Sequence, residues 1–501
     1  MTNSDEVVAP IAPQASHRRS WKATTLRLVR IIGILIFSAA QPANGQGKTR
    51  PTALTHVSVI DTADGSTQRD VTVLIKGNRV AEIGADVTIP TDALILDERG
   101  NYLIPGLWDM HVHTAFGGWF PAAKQIMFPL FIANGVTGVR DMGSVLPRIR
   151  SWRNEIRSGT LLGPRIVMAG PMLDGPRPSY PASIAIHDPS EARNSVRRLK
   201  QQGVDFIKVQ SGIPRDAYFA VADEAKKEGL TFVGHVPDAV RATEGSDAGQ
   251  KSIEHFTGIF EGCSEREDQL LIGPKGPHIF VQTYSAQRAE ALIRELAKNQ
   301  TWQVPTLVTE RVQWLIEDIA SGAHPLAKYA PAFWKDQTWK IVTELIRRQL
   351  ANEPISDRRR FVQLELETTR LMHAAGIPFM AGTDTAPGPY VMPGFSIHDE
   401  LELFVAAGFT PLEALQTATL NPAKFLGMTK DLGTVTTGKI ADLVLLTADP
   451  LQDISNTRRI ATVIVNGRLL SRDKLDQMLN RVRELSSRPK SSQERIVGRS
   501  K

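Results

Sequence analysis

From Pro105 to about residue 425 the chain alternates short apolar, β-branched runs with segments of helical periodicity. The runs are 107–113, 136–142, 165–169, 204–210, 230–236, 252–255, 303–308 and 377–383. The helical segments stop at Asn134-Gly135, Gln202-Gly203, Glu228-Gly229 and Ala375-Gly376, where glycine supplies a left-handed cap. Eight strands with helical crossovers predict an α/β fold of the (β/α)8 TIM-barrel type. A doubly wound open sheet is the alternative, but no glycine-rich dinucleotide turn follows any run.

The pattern changes outside this region. Stretches 54–61, 70–75 and 79–83 alternate in the strand manner around the turn Lys76-Gly77-Asn78, and 443–446 and 461–465 do the same before Asn466-Gly467. Strands from both chain ends are therefore expected to build one small accessory β-sandwich beside the barrel. The predicted division is 52–104 and 431–470 for the accessory domain, 105–430 for the barrel, and 471–501 for a charged, solvated helix and tail. An insertion, 309–376, separates the seventh and eighth strands and carries Trp314, Trp334 and Trp339. Its aromatic residues suit either a substrate lid or simple packing of extra helices.

Charge narrows the function. The formal net charge is +6, but residues 1–45 hold +3 and 472–501 hold +5, so the expected folded part, 46–471, stands at −2. No nucleic-acid partner is expected. Basic residues Arg18 to Arg30 precede a ten-residue apolar run, 31–40, and small residues to Gly45, the shape of a signal peptide. The run is shorter than the ~20 residues of a membrane span, so the expectation is a periplasmic or secreted protein with no stable membrane span. Cys263 is the single cysteine, which excludes an intramolecular disulfide.

His111 and His113 lie where the first barrel strand emerges, and residues i and i+2 of a strand share a face. Two imidazoles aimed the same way suit a metal, although such a pair also arises by chance on a half-exposed strand. Each further unusual polar residue falls at a strand end, where barrel enzymes build their sites: Lys208 after strand four, His235 after five, His255 after six and Asp384 after eight. Lys208 is the oddest, because burying an unpaired ammonium costs several kcal/mol and Asp205, three residues away on a regular strand, faces the other side. Arg140 ends strand two and could fork a substrate carboxylate, or pair with an acid such as Asp141. Tyr218, after strand four, could reach a substrate carboxylate or carbonyl, or pack on its helix. His398 is expected on a helix surface or behind the ligands, not among them.

The order His-x-His, Lys, His, His, Asp across 108–384 resembles the amidohydrolase superfamily in its binuclear form, related to imidazolonepropionases and Xaa-Pro dipeptidases. The similarity extends over most of 52–470, through Ile104-Pro105-Gly106-Leu107-Trp108-Asp109, Ala381-Gly382-Thr383-Asp384, Pro411-Leu412-Glu413-Ala414-Leu415, Asn421-Pro422-Ala423 and Gly438-Lys439-Ile440-Ala441-Asp442-Leu443. The resemblance implies two divalent metal ions, zinc being the expected element. His111, His113 and Asp384 would hold one, His235 and His255 the other, and Lys208 would bridge them as a CO2-derived carbamate. It further implies hydrolysis of an amide-type C–N bond by a metal-bridged hydroxide, with Asp384 moving the proton. The small-molecule substrate would be an N-acyl amino acid, an Xaa-Pro dipeptide or a cyclic amide, with Arg140 favouring an acidic one. Hydrolysis of a lactone, ester or phosphotriester is the rival within enzymes, and a non-catalytic metal-binding barrel the rival outside them. A mononuclear deaminase has no use for Lys208. A homo-oligomer is left open.

Overall fold

A computed structural model of the chain describes residues 50–320, 324–385 and 388–488. The signal-peptide reading of 1–45 and the expected tail beyond 488 fall outside these residues. Among the described residues no helix is long and apolar enough to cross a membrane.

Strands from the two chain ends form one sheet, in the order Arg468–Ser471, Ile460–Val465, Leu443–Leu446, Tyr102–Pro105, Thr52–Ile60, Thr67–Lys76, Arg79–Gly84, with Leu94–Asp97 paired to Thr52–Ile60. Alternation gives the sheet two apolar faces. Leu103, Leu443, Leu445 and Ile464 pack in one cluster, whereas Ile104, Val444, Leu446 and Val463 join the large core of the molecule. The hairpin turn Asn466-Gly467 has both residues at positive φ, 50° and 77°, the geometry that the dipeptide favours. Gly467 has a second constraint: a Cβ there would sit 2.0 Å from the Gly77 carbonyl oxygen.

The remaining sheets are parallel. Leu107–Val112, Val136–Asp141 and Arg165–Met168 form one of them, and Met172–Asp174, Phe206–Val209, Thr231–Gly234, Ser252–Glu254 and Trp302–Val304 follow in a second, with Ser183–Ala185 on its edge. Hydrogen bonds join the two: Asp205 N donates to Met168 O at 2.9 Å. On the other side, the segment 378–385 bonds strands to its left and right. Gln303 N donates to Pro378 O at 2.9 Å and Met380 N to Gln303 O at 3.0 Å, while Met110 N donates to Ala381 O at 2.9 Å and Asp384 N to His111 O at 2.8 Å. This segment was expected as a regular strand; it makes only isolated bridges, at Phe379 and Thr385, because Asp384 turns left-handed. The short pair Met172–Asp174 and Ser183–Ala185 was not foreseen. All four predicted helix-stop glycines, Gly135, Gly203, Gly229 and Gly376, have positive φ.

Two further expectations change. The C-terminal helix Arg472–Ser487 is not simply solvated: Leu475 and Val482 are buried, and Ser486 Oγ donates to Tyr329 O at 2.8 Å. In the insertion the tryptophans divide their roles. Trp334 packs edge-on to Phe120, 5.1 Å between centroids, while Trp314 lines the cavity described next.

Candidate metal centre

A cavity of about 240 Å³ opens at the C-terminal ends of the parallel strands, and His111, His113, Lys208, His235, His255 and Asp384 all line it. Each imidazole is fixed from behind through Nδ1: His111 to Glu254 Oε2 at 2.9 Å, His113 to Gly143 O at 2.9 Å, His235 to Ser211 Oγ at 2.8 Å and His255 to Thr306 Oγ1 at 2.6 Å. This is the arrangement that orients the ring in metal-ligating histidines, leaving the Nε2 lone pair turned to the cavity when Nδ1 carries the proton.

Two acceptors then face each other. His113 must donate from Nδ1, because a carbonyl can only accept, so neutral His113 presents a lone pair at Nε2. That atom lies 3.2 Å from Asp384 Oδ1, and His111 Nε2 lies 3.4 Å from the same oxygen. Burial holds His111 and His235 well below the usual imidazole range and His255 down to about 4, so these rings are neutral at physiological pH. The Asp384 carboxyl is held below its ordinary value against the opposing effect of burial, and with the imidazoles neutral the Lys208 charge is the cationic neighbour that favours its ionised form. A carboxylate oxygen flanked by imidazole lone pairs needs a cation between them. His111 Nε2, Lys208 Nζ and Asp384 Oδ1 are buried with no hydrogen-bond partner among the described residues. Ligand atoms of His111, His255 and Asp384 all lie within 4.8 Å of one another, a group that crosses the two ligand sets implied by the resemblance.

Lys208 is 1% exposed, and burial pushes its ammonium down to about 8. Asp205 pairs instead with Arg153, Nη1 to Oδ2 at 2.8 Å. The backbone is strained at the strand ends around the site: the candidate ligands His255 and Asp384 and the His255 partner Thr306 have φ of 57°, 54° and 52°, which non-glycine residues adopt only when their surroundings impose it. Asp109 imposes it on one of them. Its carboxyl accepts from Thr383 N at 3.0 Å and Thr383 Oγ1 at 2.6 Å, fixing the turn that presents Asp384.

Arg140 and Tyr218 are corrections, since neither lines the cavity. Arg140 is fully buried: Nη2 donates to both Glu254 oxygens at 3.0 and 2.9 Å, Nη1 to Ser252 Oγ at 3.0 Å and Nε to Met110 O at 2.6 Å. It acts on His111 through Glu254. Tyr218 is buried as well, donating to Gln250 Oε1 at 2.6 Å. His398, expected on a helix surface or behind the ligands, is buried against Thr457 Oγ1 at 2.9 Å and does not line the cavity. Glu254 and Asp109 were missed, although position gave a signal: Glu254 precedes His255, and Asp109 shares a strand face with His111.

Arg140→Met is therefore expected to leave the Glu254 carboxylate buried and unpaired, destabilising the fold by ~3–5 kcal/mol. Metal affinity should fall by ~10–100-fold as His111 loses its orientation. Thermal unfolding with and without metal measures both, and adding Glu254→Gln should recover part of the stability. An unchanged melting temperature, with only KM for acidic substrates raised, would instead put Arg140 on the substrate.

Residues 102–470 match the model of the amidohydrolase family, and the chain belongs to that family. It is 24% identical over 417 residues to a dihydroorotase of Pelotomaculum thermopropionicum, covering 80% of this chain and 90% of the relative. An imidazolonepropionase of Symbiobacterium thermophilum is 24% identical over 411 residues, 78% of this chain and 86% of the relative. Among solved structures, a Xaa-Pro dipeptidase with bound methionine is similar over 84% of this chain and all of its own, with a TM-score of 0.61 and 23% identity. The chain is accordingly an enzyme, a hydrolase of carbon–nitrogen bonds in a family that acts on small molecules and typically binds divalent metals.

Proposed function

We propose that this protein is an exported, binuclear metal-dependent hydrolase that cleaves an amide-type C–N bond of a small substrate. Its eight parallel segments would close into a (β/α)8 barrel, which the bonds of segment 378–385 to strands on both sides support, with the mixed-end sheet as the accessory β-sandwich. The observation that carries the metal reading is the meeting of His111 and His113 Nε2 with Asp384 Oδ1, where His111 Nε2 and Asp384 Oδ1 have no hydrogen-bond partner among the described residues. His111, His113 and Asp384 would hold one ion and His235 and His255 the second, with Lys208 bridging as a carbamate. Imidazole and carboxylate donors of this kind suit zinc.

When bound, two such cations supply charge that acidifies water and polarises the scissile carbonyl. The chain's own residues do the rest. Asp384, kept ionised by its neighbours, takes a proton from the attacking water and returns it to the leaving nitrogen. Glu254, Gly143 O, Ser211 and Thr306 hold the four imidazoles in place through Nδ1. With Arg140 paired to Glu254, the preference for an acidic amide loses its support. Lactone, ester and phosphotriester cleavage remain the rival that a substrate panel would separate.

Protein prepared without chelator is expected to contain close to two divalent ions per chain by elemental analysis. A value near one, unmoved by added metal and bicarbonate, would remove the binuclear assignment. Export from residues 1–45 is checked by cell fractionation of the tagged full chain; retention in the cytoplasm would remove it.

A further inference from the structure

The loop that follows His111 and His113 brings aromatic residues to the cavity that the proposed chemistry does not use. Phe116 sets its ring edge-on to the His113 imidazole, 4.8 Å between centroids. Trp119 and Tyr180 each lie 5.7 Å from Phe116 and 6.1 Å from one another, so the three rings form one cluster. Phe116 and Tyr180 line the same cavity as the six candidate ligands, and half-buried Trp119 packs against both. Phe116, 1% exposed, is the base of this wall. Tyr180 is its open face: at 37% it is the only exposed aromatic side chain among the described residues. A ring kept uncovered inside a cavity is free to meet a ligand.

The insertion holds the wall in place. Thr338 Oγ1 donates to Trp119 O at 2.7 Å and Trp334 Nε1 to Pro121 O at 3.3 Å, while Ala115 N donates to Ser144 Oγ at 2.9 Å. Gly117, at φ 70°, supplies the left-handed turn between Phe116 and Trp119. Rings fixed before a ligand arrives lose little freedom when it binds.

Position decides which half of a substrate meets these rings. Phe116 packs on His113, whose Nε2 lies 3.2 Å from Asp384 Oδ1, and Asp384 is the group proposed to return the proton to the leaving nitrogen. The amine half therefore departs beside the wall. We infer that Tyr180 and Phe116, backed by Trp119, form a subsite for an aromatic ring on the leaving amine, so that the preferred substrate is an amide of an arylmethylamine. The inference rests on the amide-hydrolase reading above. Burying a substrate ring against Tyr180 removes apolar surface of both from water, and ring–ring contact adds a gain that an alkyl chain does not make.

The test uses the metal-loaded full chain and two isomers, N-benzylacetamide and N-methyl-2-phenylacetamide, which carry the ring on the amine and the acyl half, with N-butylacetamide as the ring-free control. N-Benzylacetamide is expected to exceed both others by about tenfold or more in kcat/KM. Tyr180→Leu, which keeps an apolar side chain without a ring, should collapse both ratios, and Tyr180→Phe should retain them. NMR titration with benzyl alcohol and 1-butanol reads the subsite without turnover: benzyl alcohol should bind more tightly to the wild type and to Tyr180→Phe, and Tyr180→Leu should remove the difference. Benzyl alcohol binding that depends on the ring at 180, with no amide cleaved, keeps the subsite and sinks the hydrolase reading. Amides cleaved without preference for N-benzylacetamide, faster cleavage of the isomer with its ring on the acyl half, ratios unchanged in Tyr180→Leu, or benzyl alcohol binding no better than 1-butanol overturns the subsite.

Discussion

Asp384→Asn is expected to lower turnover on amides by ~10²–10⁴ while part of the bound metal survives. The asparagine carbonyl keeps an oxygen that can approach a cation, but it cannot take up a proton. The wild-type carboxylate is well placed to do so, since its Oδ1 sits 3.2 and 3.4 Å from two imidazole nitrogens and its turn is fixed by Asp109 through Thr383. An amine leaves poorly without a proton, whereas an activated ester does not need one, so the loss should be larger for amides than for esters of the same acid. Elemental analysis and paired amide and ester kinetics on one preparation separate the roles. Equal losses on both substrate types with full metal content would mean that the leaving group is protonated from elsewhere in the cavity.

What the sequence revealed of this site, and what it concealed, divides along a physical line. His111, His113, Lys208, His235, His255 and Asp384 were visible because each polar residue interrupts or ends an apolar run, and parallel strands bring such ends to one side of the sheet. The turn Asn466-Gly467 was visible because its geometry is local to two residues. Arg140 misled because its position at a strand end fixes where the side chain starts, not which group claims it. Its partners Ser252 and Glu254 lie more than a hundred residues further on, and no local pattern announces them. The same holds for Glu310, on the helix Leu307–Trp314, and Glu365, on the helix Ile355–Ala374, which both lie against Trp314 Nε1. Left-handed backbone at Thr306 and Asp384 also left no sequence signal. It shortened the seventh strand to Trp302–Val304 and turned the eighth into isolated bridges. Strain of this kind is imposed by long-range bonds, such as those of Asp109 to Thr383.

Lys208→Arg is expected to abolish activity and to lose most of the metal, although it preserves the positive charge and much of the length of the side chain. Carbamate formation needs a neutral amine that attacks CO2, and burial brings the Lys208 ammonium down to about 8, within reach of that neutral form near physiological pH. A guanidinium stays protonated and remains cationic beside the two ions it would have to bridge, so it repels where the carbamate attracts. The stem itself is closely packed: a Cβ at Gly234 would lie 2.8 Å from Lys208 Cδ, so glycine at 234 is what lets the lysine pass. Lys208→Ala should lose metal as well, with partial rescue by a short-chain carboxylic acid that occupies the vacated bridge. Labelling the metal-loaded wild type with ¹³C-bicarbonate should give a carbamate carbon signal that is absent from both variants. Wild-type turnover in Lys208→Arg, or a wild-type protein with two bound ions and no carbamate signal, would show that Lys208 fills space at this site and does not bridge the metals.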